Sequence, residues 1–181
     1  AGRGPVVGPL VMCGVLIEHE AEKKLLNLGV KDSKLLTREK REFLFDKIKD
    51  ISERYEIIAI NPEEIDKAVN NHDGLNLNRL EARKSAEILN KLKPEKAIID
   101  APSNNIGSYR EYLLGFVENK KIQIVLEHKA DLNYAIVGAA SVLAKVTRDN
   151  EVDKIKKEIG IDFGSGYMSD PKTVAFLEKH Y

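Results

Sequence analysis

Two aspartates stand at positions suited to chemistry. Asp100 ends the run Ala97-Ile98-Ile99, which reads as a buried strand, and Ala101-Pro102-Ser103 follows it. Asp131 comes a few residues after a second apolar run, Ile122 to Leu126. In open α/β sheets, sites form at the carboxyl ends of strands. A lone aspartate there either caps a turn or binds a ligand. Two of them suit a hard divalent cation, because Mg2+ and Mn2+ take oxygen ligands. Zinc fits poorly: His19, His72, His128 and His180 are scattered, and there is no CxxC pair. A GxxxxGK[ST] loop for a nucleoside triphosphate is also missing.

Asp131 heads a stretch, Leu132 to Asp149, that is rich in Ala and aliphatic residues and free of Pro. It predicts a helix that is apolar over most of its surface. At about 100° per residue, Asp131, Tyr134, Gly138, Ser141, Lys145 and Arg148 share one polar stripe. Such a stripe faces solvent or a site. Two glycine-rich stretches offer further groups. Gly2-Arg3-Gly4-Pro5 would let backbone approach a ligand closely and present N–H groups to phosphate or hydroxyl; its plain alternative is a flexible terminus. Phe163-Gly164-Ser165-Gly166-Tyr167 carries an aromatic on a loop, where the ring packs locally or stacks on a sugar or base.

The elements that must position these groups alternate. Leu10 to Ile17 predicts a buried strand entered through the turn at Gly8-Pro9. Glu20 to Leu28 is a short amphipathic helix. Thr37 caps the next, which turns Phe43, Leu44, Ile48 and Ile51 inward. Glu56 to Ile60 is a strand, after which Asn61 caps a helix with Pro62 at its first position. Asn76 to Leu92 forms a helix with Leu80, Ile88 and Leu89 inward. Lys96 to Asp100 is a strand, Ser108 to Val117 a helix, and Asp170-Pro171 starts the last helix. The class is α/β, with a mostly parallel sheet behind an antiparallel opening.

The chain has 181 residues, enough for one domain with a real core, taken here as 1–181 with 150–181 a helical and loop extension. Charged residues make up 32% and the formal net charge is zero. That argues against histone-like binding and leaves room for a local basic groove. The single cysteine, Cys13, lies in an apolar run and points to a buried hydrophobe and a reducing, cytoplasmic setting. The longest apolar run, Pro5 to Ile17, is too short to span a bilayer and lacks signal-peptide features, so no membrane role is expected.

Five segments in this order resemble the type 2 ribonucleases H (ribonuclease HII), most closely archaeal members. They are AGRGPVVGPLV at 1–11, KDSKLL at 31–36, IIDAPS at 98–103, HKADLNYAIVGAASVLAKVTRD at 128–149 and FGSGYMSDPKT at 163–173. The resemblance implies a ribonuclease H-like fold, a mixed five-stranded sheet flanked by helices. It implies an enzyme that cleaves the RNA strand of RNA/DNA hybrids and cuts 5′ of ribonucleotides embedded in duplex DNA, by two-metal-ion hydrolysis with Mg2+ or Mn2+; a monomer is expected. By motif, Asp100 and Asp131 become metal-binding carboxylates. Gly2, Arg3 and Gly4 become the loop that senses the ribonucleotide, and Tyr167 the aromatic at the junction. Lys145 and Arg148 are candidates to neutralise phosphate. The chain departs from the pattern at Met168, where the family usually has proline. It departs more seriously at the start: in the family AGRGP follows an Asp-Glu pair at the end of a first strand, and this chain is given from Ala1. A non-catalytic binder of hybrids or junctions, using the same loops, is the competing expectation.

Overall fold

The computed structural model describes residues 1–30, 36–70 and 74–180. Residues 31–35 of the KDSKLL motif and His72 lie outside the described residues. Strand β1 (Leu10–Leu16) pairs antiparallel with β2 (Arg54–Ile60), in register from Leu10 opposite Ile60 to Leu16 opposite Arg54. Strand β3 (Lys96–Asp100) pairs parallel with β4 (Gln123–Glu127), so that Asp100 lies opposite Glu127.

Helices enclose these pairs. Helix α1 (Glu22–Leu28) follows a short 3-10 turn, and α2 (Arg38–Ile51) begins where the Thr37 hydroxyl accepts from the Lys40 N–H at 3.3 Å. The Asn61 side chain caps α3 (Pro62–Val69), Asn76 caps α4 (Leu77–Leu92) and Asn105 caps α5 (Ile106–Phe116). Each such side chain satisfies a helix-end N–H that would otherwise lack a partner. One core cluster joins α1, α2 and the long helix α7 (Ala135–Ile159) through Leu25, Leu44, Ile48, Val142 and Leu143. Each fully buried Leu or Ile there contributes about 1.5–3 kcal/mol. A second joins α4 and α5 to the β3–β4 pair through Ala86, Leu89, Leu113 and Ile124. The last helix is α8 (Pro171–His180).

Three expectations change. The stretch read as one helix from Leu132 is two: α6 (Ala130–Asn133) and α7, separated by Tyr134 in an extended conformation (φ −118°, ψ 119°). The Tyr134 hydroxyl reaches back to donate to Glu127 Oε1 at 2.7 Å, which ties the break to the end of β4. The polar stripe therefore holds along α7 only from residue 138 onward. Gly138 serves packing there: a Cβ on it would lie 2.6 Å from the Val30 carbonyl oxygen. Phe43 points outward, 55% exposed, with the Lys40 ammonium 5.1 Å from its ring centroid. The inward face of α2 is Leu44 and Ile48.

The third change concerns the sheet. The fold is α/β, but the described residues hold four strands in two pairs rather than five in one sheet. β1 and β3 do not bond to each other. A cavity of about 1560 Å³ lies between them, lined by residues 10–17 on one side and 96–100 on the other. Ile88 and Leu92 of α4, with Val137 and Ala140 of α7, also line it. Beside it, Ala1 and Val11 exchange both backbone N–H···O bonds, at 2.6 and 2.8 Å. That exchange is the signature of an antiparallel pair.

Candidate active site

The two aspartates meet because β3 and β4 end together. The Ala101 N–H donates to the Glu127 carbonyl at 2.8 Å, extending the ladder one residue past Asp100. Lys129 then turns the chain through a left-handed conformation (φ 56°) into α6. Asp100 Oδ1 accepts from the N–H of Ala130, the residue before Asp131, at 3.2 Å. Asp131 itself is 6% exposed and, like Asp100, lines the cavity.

The glycine loop is built into the same wall. Gly2 has φ +89°, and a Cβ on it would lie 2.5 Å from the Pro9 carbonyl oxygen and 2.7 Å from Arg148 Nε, so only glycine fits. Arg3, its side chain 43% exposed, is nonetheless tied to the protein at each guanidinium nitrogen. Its Nη1 donates to the Pro102 carbonyl and its Nη2 to Asn78 Oδ1, each at 2.6 Å, and its Nε lies 3.5 Å from Glu81 Oε2. Gly4 differs from both, since nothing stands within 4 Å of where its Cβ would be.

The glycine loop and the tyrosine loop are bound to each other. The Val6 N–H donates to the Gly166 carbonyl at 2.8 Å. Arg148 Nη2 donates to the Ser165 carbonyl at 3.1 Å and the Val7 carbonyl at 3.5 Å, and the guanidinium lies 4.8 Å from the Tyr167 ring centroid. Arg148 is 5% exposed, so its geometry is that of a clamp between loops rather than of a phosphate contact. Asp170 braces the tyrosine loop from below, accepting from the Ser165 N–H at 2.7 Å; that N–H, the Ser165 hydroxyl and the Lys172 N–H hold its carboxyl below the usual range. The Lys145 ammonium donates to Ser141 Oγ at 2.7 Å, one turn before it on α7.

All eight residues singled out in the sequence, Gly2, Arg3, Gly4, Asp100, Asp131, Lys145, Arg148 and Tyr167, line the one cavity. The sequence reading passed over Asn78 and Glu81, which hold Arg3. A signal existed: Glu81 falls on the apolar face of α4, directly after Leu80 and one turn after Leu77, a core position for an acid. The two carboxylates, as oxygen donors, suit a hard cation. Among the described residues, no group of three or more His, Cys, Asp or Glu is placed to hold an ion by itself.

Comparison with known proteins agrees with this geometry. The fold superposes on the crystal structure of ribonuclease H2 from Pyrococcus horikoshii with a TM-score of 0.89 at 42% identity, covering 100% of this chain and 83% of that one. It superposes on the ribonuclease HII of Archaeoglobus fulgidus, solved in complex with PCNA, with a TM-score of 0.88 at 40% identity, covering 99% and 84%. Both likenesses place it among nucleases of the ribonuclease H-like fold. The ribonuclease HII of Pyrococcus furiosus is 47% identical over 186 residues, covering 100% of this chain and 79% of that one. The family model for Ribonuclease HII matches residues 1–181, and the chain belongs to that family. It is a ribonuclease H, an endonuclease that hydrolyses RNA in RNA/DNA hybrids, in a family that depends on a divalent metal. The reading as a non-catalytic binder is not favoured. Among the described residues, no helix is long and apolar enough to cross a membrane.

Proposed function

We propose that this chain cuts on the 5′ side of a ribonucleotide, including one embedded alone in duplex DNA, at the cavity that joins Asp100, Asp131, Gly4 and Tyr167. The observation that carries the reading is the convergence of all eight sequence candidates on one cavity at the paired ends of β3 and β4. Asp100 and Asp131 would hold Mg2+ or Mn2+, which supplies Lewis-acid stabilisation of phosphate charge and a more acidic water. The water oxygen bonds to phosphorus, and the P–O3′ bond breaks. This leaves a 3′-hydroxyl upstream and the ribonucleotide with a 5′-phosphate downstream.

The backbone at Gly4 is suited to face the 2′-OH, the group that separates RNA from DNA. Tyr167, carried on Arg148, is suited to stack on the neighbouring sugar or base. Lys145 supplies positive charge at the cavity wall. The resemblance adds a further piece. The family's Asp-Glu pair, directly before the glycine loop, would join Asp100 and Asp131 in holding the ion. We read the protein as a single-domain, monomeric cytoplasmic enzyme whose partners are RNA/DNA hybrids and ribonucleotide-containing DNA.

The test uses the full-length chain and three duplexes: one with a single ribonucleotide, its all-deoxy counterpart, and a 2′-O-methyl version. Only the first is cut, and the ribonucleotide appears at the 5′ end of the downstream product. Asp100→Asn and Asp131→Asn each lose most of that cleavage while circular dichroism stays unchanged, because Asn keeps the shape and loses the charge that holds the ion. Cleavage of the all-deoxy duplex at a similar rate, or near-normal turnover in both Asn variants, overturns the reading.

A further inference from the structure

Glu81 is the buried acid for which the proposed chemistry has no use. It is 6% exposed on the inner face of α4, and its Oε2 is fully enclosed without a hydrogen-bond partner. Leaving a carboxylate buried is costly unless an opposite charge lies near it. That charge is Arg3, whose Nε lies 3.5 Å from the same oxygen. Burial pushes the Glu81 carboxyl up, against the pull of the Arg3 charge.

Arg3 in turn has each of its three guanidinium nitrogens directed at protein: Glu81 and Asn78 on α4, and the Pro102 carbonyl two residues past Asp100. One side chain thus joins α4, the strand end that carries an aspartate, and the loop that carries Gly4. Of the three attachments, two are hydrogen bonds at 2.6 Å and the third is an ion pair without one. The carboxylate fixes the charge of the fork, while the carbonyl and the amide fix its orientation.

We propose that Glu81 is a positioning residue for substrate discrimination: through Arg3 it sets where the Gly4 backbone stands relative to the end of β3. The inference rests on the reading above, in which Gly4 faces the 2′-OH. An isolated ribonucleotide offers one hydroxyl to that backbone, whereas a long hybrid offers one at every register. Displacement of the loop should therefore cost most on the isolated ribonucleotide. A role in stability alone would act on both substrates equally, and Arg3, its side chain 43% exposed, stays solvated and keeps its two other bonds when the Glu81 carboxylate is exchanged for its neutral isostere.

The experiment measures kcat and KM for an isolated ribonucleotide and for a long RNA/DNA hybrid, with thermal unfolding as the control. The variants are Glu81→Gln, Arg3→Gln, their double and Glu81→Asp. Expected for Glu81→Gln is a loss in kcat of about tenfold or more on the isolated ribonucleotide, the scale at which sub-ångström misplacement acts. KM stays within about twofold, the hybrid loses less, and Glu81→Asp recovers part of the loss. The double variant is no worse than the worse single, because both act through one contact. Equal losses on both substrates, or additive losses in the double, overturn the proposal. If a Gln variant fails to fold, Glu81→Asp carries the test: a loss on the isolated ribonucleotide no greater than on the hybrid overturns it too. The parent enzyme's refusal of the all-deoxy duplex separates the two readings. If the parent cuts that duplex, the Gly4 reading fails; if it refuses it and the variants still do not discriminate, only the Glu81 assignment fails.

Discussion

Gly2 and Gly4 are two positions apart and answer different needs. Gly2 is demanded by the fold, since its Cβ would enter the Pro9 carbonyl and the Arg148 side chain. Gly4 has open space on that side, so packing within the protein does not demand glycine there. Gly4→Ala should leave the unfolding temperature within a degree or so of the parent and still lose cleavage at an isolated ribonucleotide. Gly2→Ala should lower both. Unfolding scans paired with the single-ribonucleotide assay separate the two; a Gly4→Ala variant with full activity would remove that residue from the site. Tyr167 invites the complementary experiment. One face of its ring is met by the Arg148 guanidinium at 4.8 Å, and the ring lines the cavity. Its removal in Tyr167→Ala should cost roughly 1–3 kcal/mol where stacking is one of few contacts, and less on a long hybrid. Equal losses on the two substrates would make it a packing residue. In the sequence both glycines looked alike, and Arg148 looked like a phosphate ligand. Burial separates them, and burial depends on which loops meet, which no local pattern records.

At the scale of elements, capped helix starts were legible. Thr37 and Asn61 cap helices where the sequence put them, because a short polar side chain ahead of an apolar period leaves a local signature. The end of α4 was read at Leu92, where it lies, but the left-handed turn that makes it carries no local mark. Lys93 closes it in the left-handed region at φ 52°, where glycine is the usual choice. Lys93→Gly should therefore raise stability by up to about 1 kcal/mol, read as a higher denaturant midpoint at unchanged slope. A lower midpoint would show that the Lys93 side chain contributes more than its backbone costs. The break at Tyr134 was equally hidden. Ala-rich sequence on both sides favours helix, and the interruption answers to Glu127, seven residues back on a strand.

For the whole molecule, zero net charge conceals local pairing. Asp162 sits between two ammonium groups, Lys172 at 2.8 Å and Lys156 at 2.9 Å. Those two, with the Gly164 N–H, hold its carboxyl far below the usual range. A folded-state value below the unfolded one stabilises the fold above the ordinary aspartate pKa of about 4, and that contribution fades as pH falls below it. Asp162→Asn should thus lower the unfolding temperature slightly at pH 7, the group being exposed, and the gap from the parent should shrink on going below about pH 4. A gap that widens in acid would assign the residue another role. The alternation of strands and helices, and so the class, was readable along the chain. The order of strands was not, because pairing joins segments dozens of residues apart.

The Arg148 clamp also sets an order of events during synthesis. It binds the carbonyl of Val7, 141 residues earlier, and that of Ser165, 17 residues later. Domains emerge from the ribosome with the amino-terminal end first. The glycine loop therefore emerges well before Arg148, whose guanidinium fills the space beside Gly2, and before Gly166, whose carbonyl receives the Val6 N–H. A chain still being translated holds one half of its substrate-reading surface and waits for the other.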